Sequence, residues 1–551
     1  IVHPGAISAA YDTLTNTPNA GAVGARIILP DYSLQEAGNI LWRDGTCVGY
    51  LRGRSPEDGR ARFKRRTDYC SGAFLMTQAD IWHRIGGYDV RYKPAYYEET
   101  DFCVAVQRLG LDIWYEPNAA ITHFEFGSSE LSSQAFNQMT INREKFVAKN
   151  SDYLGRKLSP ESSHYIARHS DHRPRVLIIE DLVPHQYLGA GFPRSNAIIR
   201  ALSELNWQVT VFASFIKTES WWSLYSDIPR DVEIIHNQGF DGLQDFLSER
   251  RGEFDVAWIC RPHNMEAVHK LLDAKLIKKS EIASKKIIYD AEALFTARES
   301  LEEKVRGKST APRKRRMTEF ELVAYADDIV SVSEKEAKIW AEKTNKPVTV
   351  VGHDIEVRYS ERRFEERKDI LFLGSIHNHP SPNSDSLLWF LEQVWPQLKR
   401  HLGPEAKLVV VGYNALKDMS IFAPYATEVR WVGKVDSLAP YFDSCRLMVV
   451  PTRYASGIPQ KVYDAASFGM PCVCTDLIAD QMGWVDGVEC LASSHLDPEM
   501  FGKKCAELYN NEETWQALRA GMLKYLQYEQ RGMSIKDRVK ELLTKVLVHQ
   551  S

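Results

Sequence analysis

Residues 447–476 read LMVVPTRYASGIPQKVYDAASFGMPCVCTD. An apolar run from Leu447 ends at Pro451, and a loop of small residues, Gly457 among them, follows it. A helix pattern opens near Ile458 and stops at Gly469, and a second apolar run, Pro471 to Cys474, comes next. The order is strand, loop, helix, strand. A loop that feeds a helix N-terminus offers free backbone N–H groups to an anion, for example a diphosphate. Lys461 adds a point charge in the first turns, and Asp464, three residues on, shares its helix face and can accept sugar hydroxyls.

The same alternation extends on both sides. From Arg175 the chain runs VLIIE, a glycine-containing loop (PHQYLGAGFPR), a helix pattern, then QVTVFAS, VEIIHN, DVAWIC, KIIYDAEALF and DDIVSVS, mostly with helical segments between. It restarts at Asp369 with ILFLGS, a helix pattern, KLVVVGY and VRWVGKV, before reaching LMVVPT and PCVCTD. Strands apolar throughout, separated by helices, signal parallel sheets covered on both faces. The expected fold class is α/β: two Rossmann-like domains, 174–352 and 353–551, facing a cleft. Ligands of such sheets bind outside the carboxyl ends of the strands. Residues 1–135 mix helices with short strands, and 136–173 read as a helix followed by a polar, proline-bearing tether. The segment IKDRVKELLTKVL reads as an amphipathic helix that packs back on the second module.

At 551 residues the chain is too long for one core. Apolar content of 44% and charged content of 26% are those of an ordinary globular protein. A formal charge of −4 gives no electrostatic reason to expect nucleic acid. The nine cysteines include no CxxC pair, and Cys472 and Cys474 alternate onto one side of a strand as small hydrophobes. With no secretory signal in view, a cytoplasmic protein is expected.

On the residues quoted first, the chain resembles the family 4 glycosyltransferases over about 174–545. That resemblance implies the two-domain GT-B fold, a nucleotide-sugar donor and retention of anomeric configuration. It implies donor contacts from Gly189, Gly191 and Arg194 in the first glycine loop, and from Gly374 and Ser375 after the ILFLGS strand. Arg453, Gly457, Ile458, Lys461 and Asp464 complete the donor set. The family often carries two glutamates eight positions apart; here Asp464 holds the second place and Ser456 the first. Asp290 and Glu292 in YDAEALF fall where related enzymes put polar groups facing the reacting centre, and capping the next helix is the other reading. His353, in VVGHDIE, reads either as a cleft-facing group or as a hinge residue bonded to backbone. Asn383 or Ser384 would cap the helix that follows Ser375. His377 and His379 have no carboxylate or cysteine cluster beside them, so no metal is expected in this module.

Residues 68–110, DYCSGAFLMTQADIWHRIGGYDVRYKPAYYEETDFCVAVQRLG, resemble the acceptor-side block of the family 2 glycosyltransferases, inverting enzymes of GT-A fold. The resemblance covers about residues 1–130. It gives Glu99 the place of the general base, with dipole-favoured helix-start acids as the other reading of Glu98–Glu99. It also implies that an intact GT-A domain would use a divalent metal, Mg or Mn, near which His123 can sit; structural use of His123 is the alternative. The nucleotide-binding strands and Asp-x-Asp motif of that family would precede Ile1, so this portion is expected to be inactive as it stands.

The function expected is sugar transfer from a nucleotide-sugar donor to a growing cell-surface glycan or lipid-linked acceptor. Two alternatives stay open: a nucleotide-sugar epimerase of the same shape, and a glycan-binding scaffold with a degraded donor motif. The basic run within 304–316 reads as a solvated face, or as a peripheral contact with anionic lipid at the inner face of the cell membrane.

Overall fold

The computed structural model describes residues 1–124, 132–169, 173–189, 191–307, 317–402, 406–529 and 532–547. Contacts divide it into two compact units: Ile1–Ile178 with Asn206–Asp255 and Ile277–Ser284, and Ile179–Leu205 with Val256–Leu276 and Lys285–Ser551.

In the first unit the strand Ala20–Ile28 runs parallel to Asp112–Thr122 and antiparallel to Leu34–Ala37 and Leu75–Thr77. Arg65–Arg66 pairs with the outer side of Asp112–Thr122. Ala10 and Leu14 of the helix Ala6–Asn16 pack with Val23, Ala25 and Ile27. A separate cluster gathers Phe102 and Val106 of the helix Glu98–Arg108 with Phe146 and Leu154 of the helix Ser132–Leu154. Asp101 fastens these two helices, accepting from Lys149 Nζ at 2.6 Å and Asn150 Nδ2 at 2.9 Å. The strands Gln208–Ala213 and Glu233–Ile235 of this unit are parallel to each other.

The polar stretch after Leu154, expected to be a tether, is packed down. Lys157 pairs with Asp68 at 2.5 Å. The Arg168 side chain is fully buried, donating to both Glu233 oxygens at 2.9 and 2.7 Å, to Glu253 at 3.1 Å and to the Tyr50 hydroxyl at 2.9 Å. Arg250 bonds the same two glutamates. Burial works to raise the Glu233 carboxyl, and the two guanidiniums overcome it, holding it well below its ordinary range. Composition cannot distinguish a solvated arginine from one that meets carboxylates 65 and 85 positions later. That network is one reason the compact units cut across the boundary expected near residue 173.

The second unit carries two parallel arrays. One pairs Val256–Cys260, Lys286–Asp290, Asp328–Ser331 and Val348–Val350 in that order. The other is a six-stranded sheet in the order Val429–Gly433, Leu408–Val411, Asp369–Leu373, Cys445–Val450, Cys472–Thr475, Leu491–Ser493. Counted along the chain this is 3-2-1-4-5-6, the dinucleotide-fold order, with its switch point between Asp369–Leu373 and Cys445–Val450. The uniformly apolar strands feed two cores: Ile370, Phe372, Leu447 and Val449 enter one, and Leu371, Leu373, Met448 and Val450 the other. Cys472 and Cys474 both lie in the second core, 1% and 0% exposed. The helix Pro382–Trp389 is capped by Ser381, whose hydroxyl accepts from the Ser384 amide, and not by Asn383 or Ser384 as expected. Pro382 sits at the helix start, where its missing N–H costs nothing. The amphipathic helix Ile535–Leu547 buries Ile535, Val539, Leu542 and Leu543, and Lys536 pairs with Glu204 at 2.9 Å. Among the described residues no helix is long and apolar enough to cross a membrane.

Candidate functional site

A cavity of about 390 Å³ opens at the switch point of the six-stranded sheet, wholly within the second unit. That is the size of a small-molecule site. One wall comes from loops after strands of that sheet: Gly374 and Ser375, Gly412 and Tyr413, Lys434, Thr452, and Ala455 to Lys461 with Asp464. The other comes from Tyr187, Gly189, Gly191, Arg194, Arg261, Glu292, Phe295, Arg298 and His353.

Lys461 lies in the first turn of the helix Gln460–Ser467, where main-chain N–H groups lack intrahelical acceptors. Its ammonium donates to Asn383 Oδ1 at 3.0 Å, and Asn383 is held by donating Nδ2 to the Ser375 carbonyl at 2.8 Å. Burial without a carboxylate partner lowers the Lys461 pKa to about 8. Asp464 accepts from Gln460 Nε2 at 3.1 Å, and burial raises its pKa to about 6. A cation and an acid on one helix face thus look into one cavity, both short of solvent. Beside them Thr452 Oγ1, Ser456 Oγ and Gln481 Oε1 are buried without a hydrogen-bond partner among the described residues.

The opposite wall is more densely charged. Arg261 and Glu292 each follow a parallel strand at positive φ, 69° and 43°, uncommon for such residues and frequent at functional sites. Arg261 donates Nε to Glu180 at 2.7 Å, places Nη1 3.2 Å from Glu292, and covers the Phe192 ring. Burial raises the Glu292 carboxyl pKa; Arg261 opposes, and Glu180 and Asp290 add to the rise. Gly191, at φ 87°, must be glycine because a Cβ there would overlap the Glu292 carboxylate. Arg194 Nη2 has no hydrogen-bond partner among the described residues. Burial, with the Arg194 charge adding and the Ile458 backbone opposing, lowers the His353 pKa to about 3. His353 is therefore a neutral imidazole on the cavity wall.

Three expected roles are corrected. Asp290 does not face the reacting centre: it is fully buried and accepts from Arg194 Nη1 at 2.9 Å, Trp258 Nε1 at 2.8 Å and the Glu292 amide at 3.1 Å. It orients Arg194 and the turn bearing Glu292. Arg453 is not on the cavity wall; its guanidinium makes two bonds to Asp385, at 2.7 and 2.9 Å, so its charge is already matched. Gly457 lines the cavity, but its amide donates to Glu336 Oε1 at 2.8 Å and is not offered to a diphosphate.

Glu99 and His123 belong to the first unit. Glu99 stands in the first turn of Glu98–Arg108, and burial, then the neighbouring Glu98, raises its pKa to about 8. His123 Nδ1 lies 2.8 Å from Gln35 Oε1. His377 contacts the Leu188 carbonyl and His379 the Ser384 hydroxyl, both at 3.1 Å. Among the described residues no three metal-ligating side chains gather. Of the basic run, Lys304 and Arg306 are seen, and 308–316 lie outside the described residues.

The cavity also holds residues that the sequence reading passed over: Arg261, Arg298, Tyr187, Lys434, Thr452 and Gln481. Lys434 Nζ stands 3.3 Å from the Tyr187 ring centroid. Arg261 had a legible signal, since it directly follows the apolar run DVAWIC as Glu292 follows KIIYD.

Residues 367–511 match the family model described as Glycosyl transferases group 1, so the chain carries a glycosyltransferase domain there. A curated relative, the uncharacterized protein y4gI of Sinorhizobium fredii (strain NBRC 101917 / NGR234), is 28% identical over 119 residues, 21% of this chain. That segment is 13% of the relative's own length. Among solved structures, sucrose-phosphate synthase (tll1590) from Thermosynechococcus elongatus superposes with a TM-score of 0.52 at 14% identity, over 69% of this chain and all of that one. Anabaena Alr3699/HepE, solved with UDP and glucose, gives 0.49 at 10% identity, over 68% of this chain and all of that one. The first of these likenesses is one of fold: an α/β protein with parallel sheets, like GT-B glycosyltransferases.

Proposed function

We propose that the second unit transfers a sugar from a nucleotide-sugar donor to a hydroxyl of a growing glycan or lipid-linked acceptor, with retention and without a metal. The observation that carries this reading is Lys461: a desolvated ammonium at a helix N-terminus, facing a cavity and bonded, among the described residues, only to a neutral amide. In the reaction the bond between the anomeric carbon and the β-phosphate oxygen breaks, and its electron pair stays on that oxygen. Lys461 and the first main-chain amides of its helix stabilise the growing charge; removing one such donor costs about 3–4 kcal/mol of barrier. The acceptor oxygen bonds to the anomeric carbon and gives up its proton. Glu292, buried and raised toward neutrality, has the proton affinity of a base for that step. Asp464 suits the ribose hydroxyls. The neutral Thr452, Ser456 and Gln481 suit the hydroxyls of a sugar in place of the family's first glutamate.

The test is a panel of nucleoside diphosphates and nucleotide sugars, read first by thermal shift and then by release of nucleoside diphosphate in the presence of glycan acceptors. One donor should stabilise the protein and be consumed, and Lys461→Ala should abolish consumption while the protein stays folded. Stabilisation by none of the panel would sink the reading.

For residues 1–130 we propose the family 2 relationship, supported by the elevated carboxyl of Glu99 at a helix start. Superposing an experimental structure on a family 2 enzyme should bring Glu99 onto the general base; a mismatch there removes the proposal.

A further inference from the structure

Among the guanidiniums on the cavity wall, pairing singles out Arg298. The guanidiniums that line the cavity are Arg194, Arg261 and Arg298. Arg194 is matched by Asp290 and Arg261 by Glu180 and Glu292. Arg298, in the first turn of the helix Phe295–Arg306, makes no ion pair or hydrogen bond among the described residues; its head lies over the Phe295 ring, 4.7 Å from the centroid. Burial lowers its pKa and the charge of Arg261 lowers it further, while Glu299 and Glu302 on its own helix oppose them in part without bonding it. A half-buried guanidinium on a cavity wall, bonded to no carboxylate among the described residues, leaves its N–H groups free for an arriving anion.

The donor assigned above creates the matching deficit. Each phosphate of a sugar-linked diphosphate carries a negative charge, and cleavage adds another on the leaving oxygen. Lys461 supplies one compensating charge. Arg453, which the sequence offered as the second, is already tied to Asp385. The loop that leads into the Lys461 helix approaches the segment that leads into the Arg298 helix: a Cβ on Gly457 would stand 3.2 Å from Ala293 Cβ, and Arg306 Nη1 reaches the Tyr454 hydroxyl at 3.5 Å.

We infer that Arg298 is a second anion-holding group of this cavity, taking a phosphate group of the bound ligand opposite Lys461. The inference rests on the nucleotide-sugar reading and adds to it a cation from outside the donor motif. A planar fork suits phosphate, because two N–H groups reach two oxygens at once. The phosphate belongs either to the donor or to a phosphorylated acceptor, and the two sources are separable.

The experiment uses the full chain and its Arg298→Gln and Arg298→Lys variants, with melting temperatures to confirm folding. Titration with UDP, GDP, dTDP and ADP, and with the matching uncharged nucleosides, reads the donor arm. Inorganic phosphate added to protein saturated with the best diphosphate reads the acceptor arm. If the phosphate is the donor's, Arg298→Gln weakens diphosphate binding about 10- to 100-fold, the value of a charged hydrogen bond, and leaves the nucleoside unchanged. If it is the acceptor's, diphosphate affinity holds and the added inorganic phosphate no longer binds. Arg298→Lys retains part of either effect, and carries the comparison should the glutamine variant fail to fold. Unchanged diphosphate and phosphate binding in Arg298→Gln, with Lys461→Ala still disruptive, overturns this inference and leaves the nucleotide-sugar reading standing. A wild-type chain that binds no diphosphate removes both.

Discussion

The alkaline limb of diphosphate binding isolates Lys461. In the free protein its ammonium has lost water and gained only the Asn383 carbonyl oxygen, which brings its pKa down to about 8. A bound diphosphate would restore the proton and push that pKa upward. Between the free and the bound values the complex therefore takes up a proton that the free protein has shed. Affinity should be flat below about pH 8 on this account and fall about tenfold for each pH unit above it. Lys461→Met removes the charge with little change in volume. It should weaken binding at pH 7 by about 1.5–3 kcal/mol, the worth of a charged hydrogen bond, and abolish the alkaline slope. Calorimetric titration from pH 7 to 9.5, in buffers of different ionisation enthalpy, would measure both the slope and the proton uptake. The acid limb is less diagnostic, because Asp464 near 6 overlaps a terminal phosphate that also titrates near 6. An alkaline slope that survives in Lys461→Met would refute the reasoning, as would a wild-type affinity independent of pH up to 9.5.

Other perturbations test separate parts of the structure. Arg453→Gln leaves Asp385 without its partner, so it should lower stability by about 1–3 kcal/mol in urea unfolding while diphosphate affinity stays within about threefold; a loss of affinity as large as that of Lys461→Met would put Arg453 back on the ligand. Arg168→Met leaves two buried glutamates to share Arg250, one carboxylate charge unmatched, and should cost about 3–5 kcal/mol, a loss below 1 kcal/mol arguing against the buried network. Gly191→Ala forces a side chain into left-handed backbone and against Glu292, so turnover should fall by more than diphosphate affinity does; equal losses would detach Glu292 from the chemistry. His353 has a folded pKa near 3, below its ordinary 6.5, so the unfolded chain takes the proton first. Its contribution destabilises the fold as pH drops from about 6.5 towards 3 and vanishes above that window. His353→Asn should accordingly lose less stability than wild type between pH 7.5 and 5, and parallel losses would contradict the buried neutral imidazole.

What the sequence shows and what it hides divide along physical lines. Strands buried on both faces, such as LMVV and CVCT, leave an unbroken apolar run that only a covered parallel sheet explains, and they appear where expected. Lys461 and Asp464 were legible because a helix start fixes which side chains share a face, and one cavity receives both. Asp290 and Arg453 were misread because their partners, Arg194 and Asp385, lie 96 and 68 positions away. Sequence gives a charge but not its counter-charge. Arg168 was lost for the same reason, its polarity taken for solvation. Arg298 hid in a helix whose other residues are mostly polar, where only its place on the cavity wall marks it out. The Ser381 cap was missed by two positions, because Pro382 fills the helix start that Asn383 was expected to precede.

The central claim is spatial, and a crystal structure determined with a nucleoside diphosphate tests it most directly. The β-phosphate should lie against the first main-chain amides of the helix Gln460–Ser467, with Lys461 Nζ turned from Asn383 onto a phosphate oxygen. Diphosphate density elsewhere on the chain, with the Lys461–Asn383 bond intact, would contradict the account.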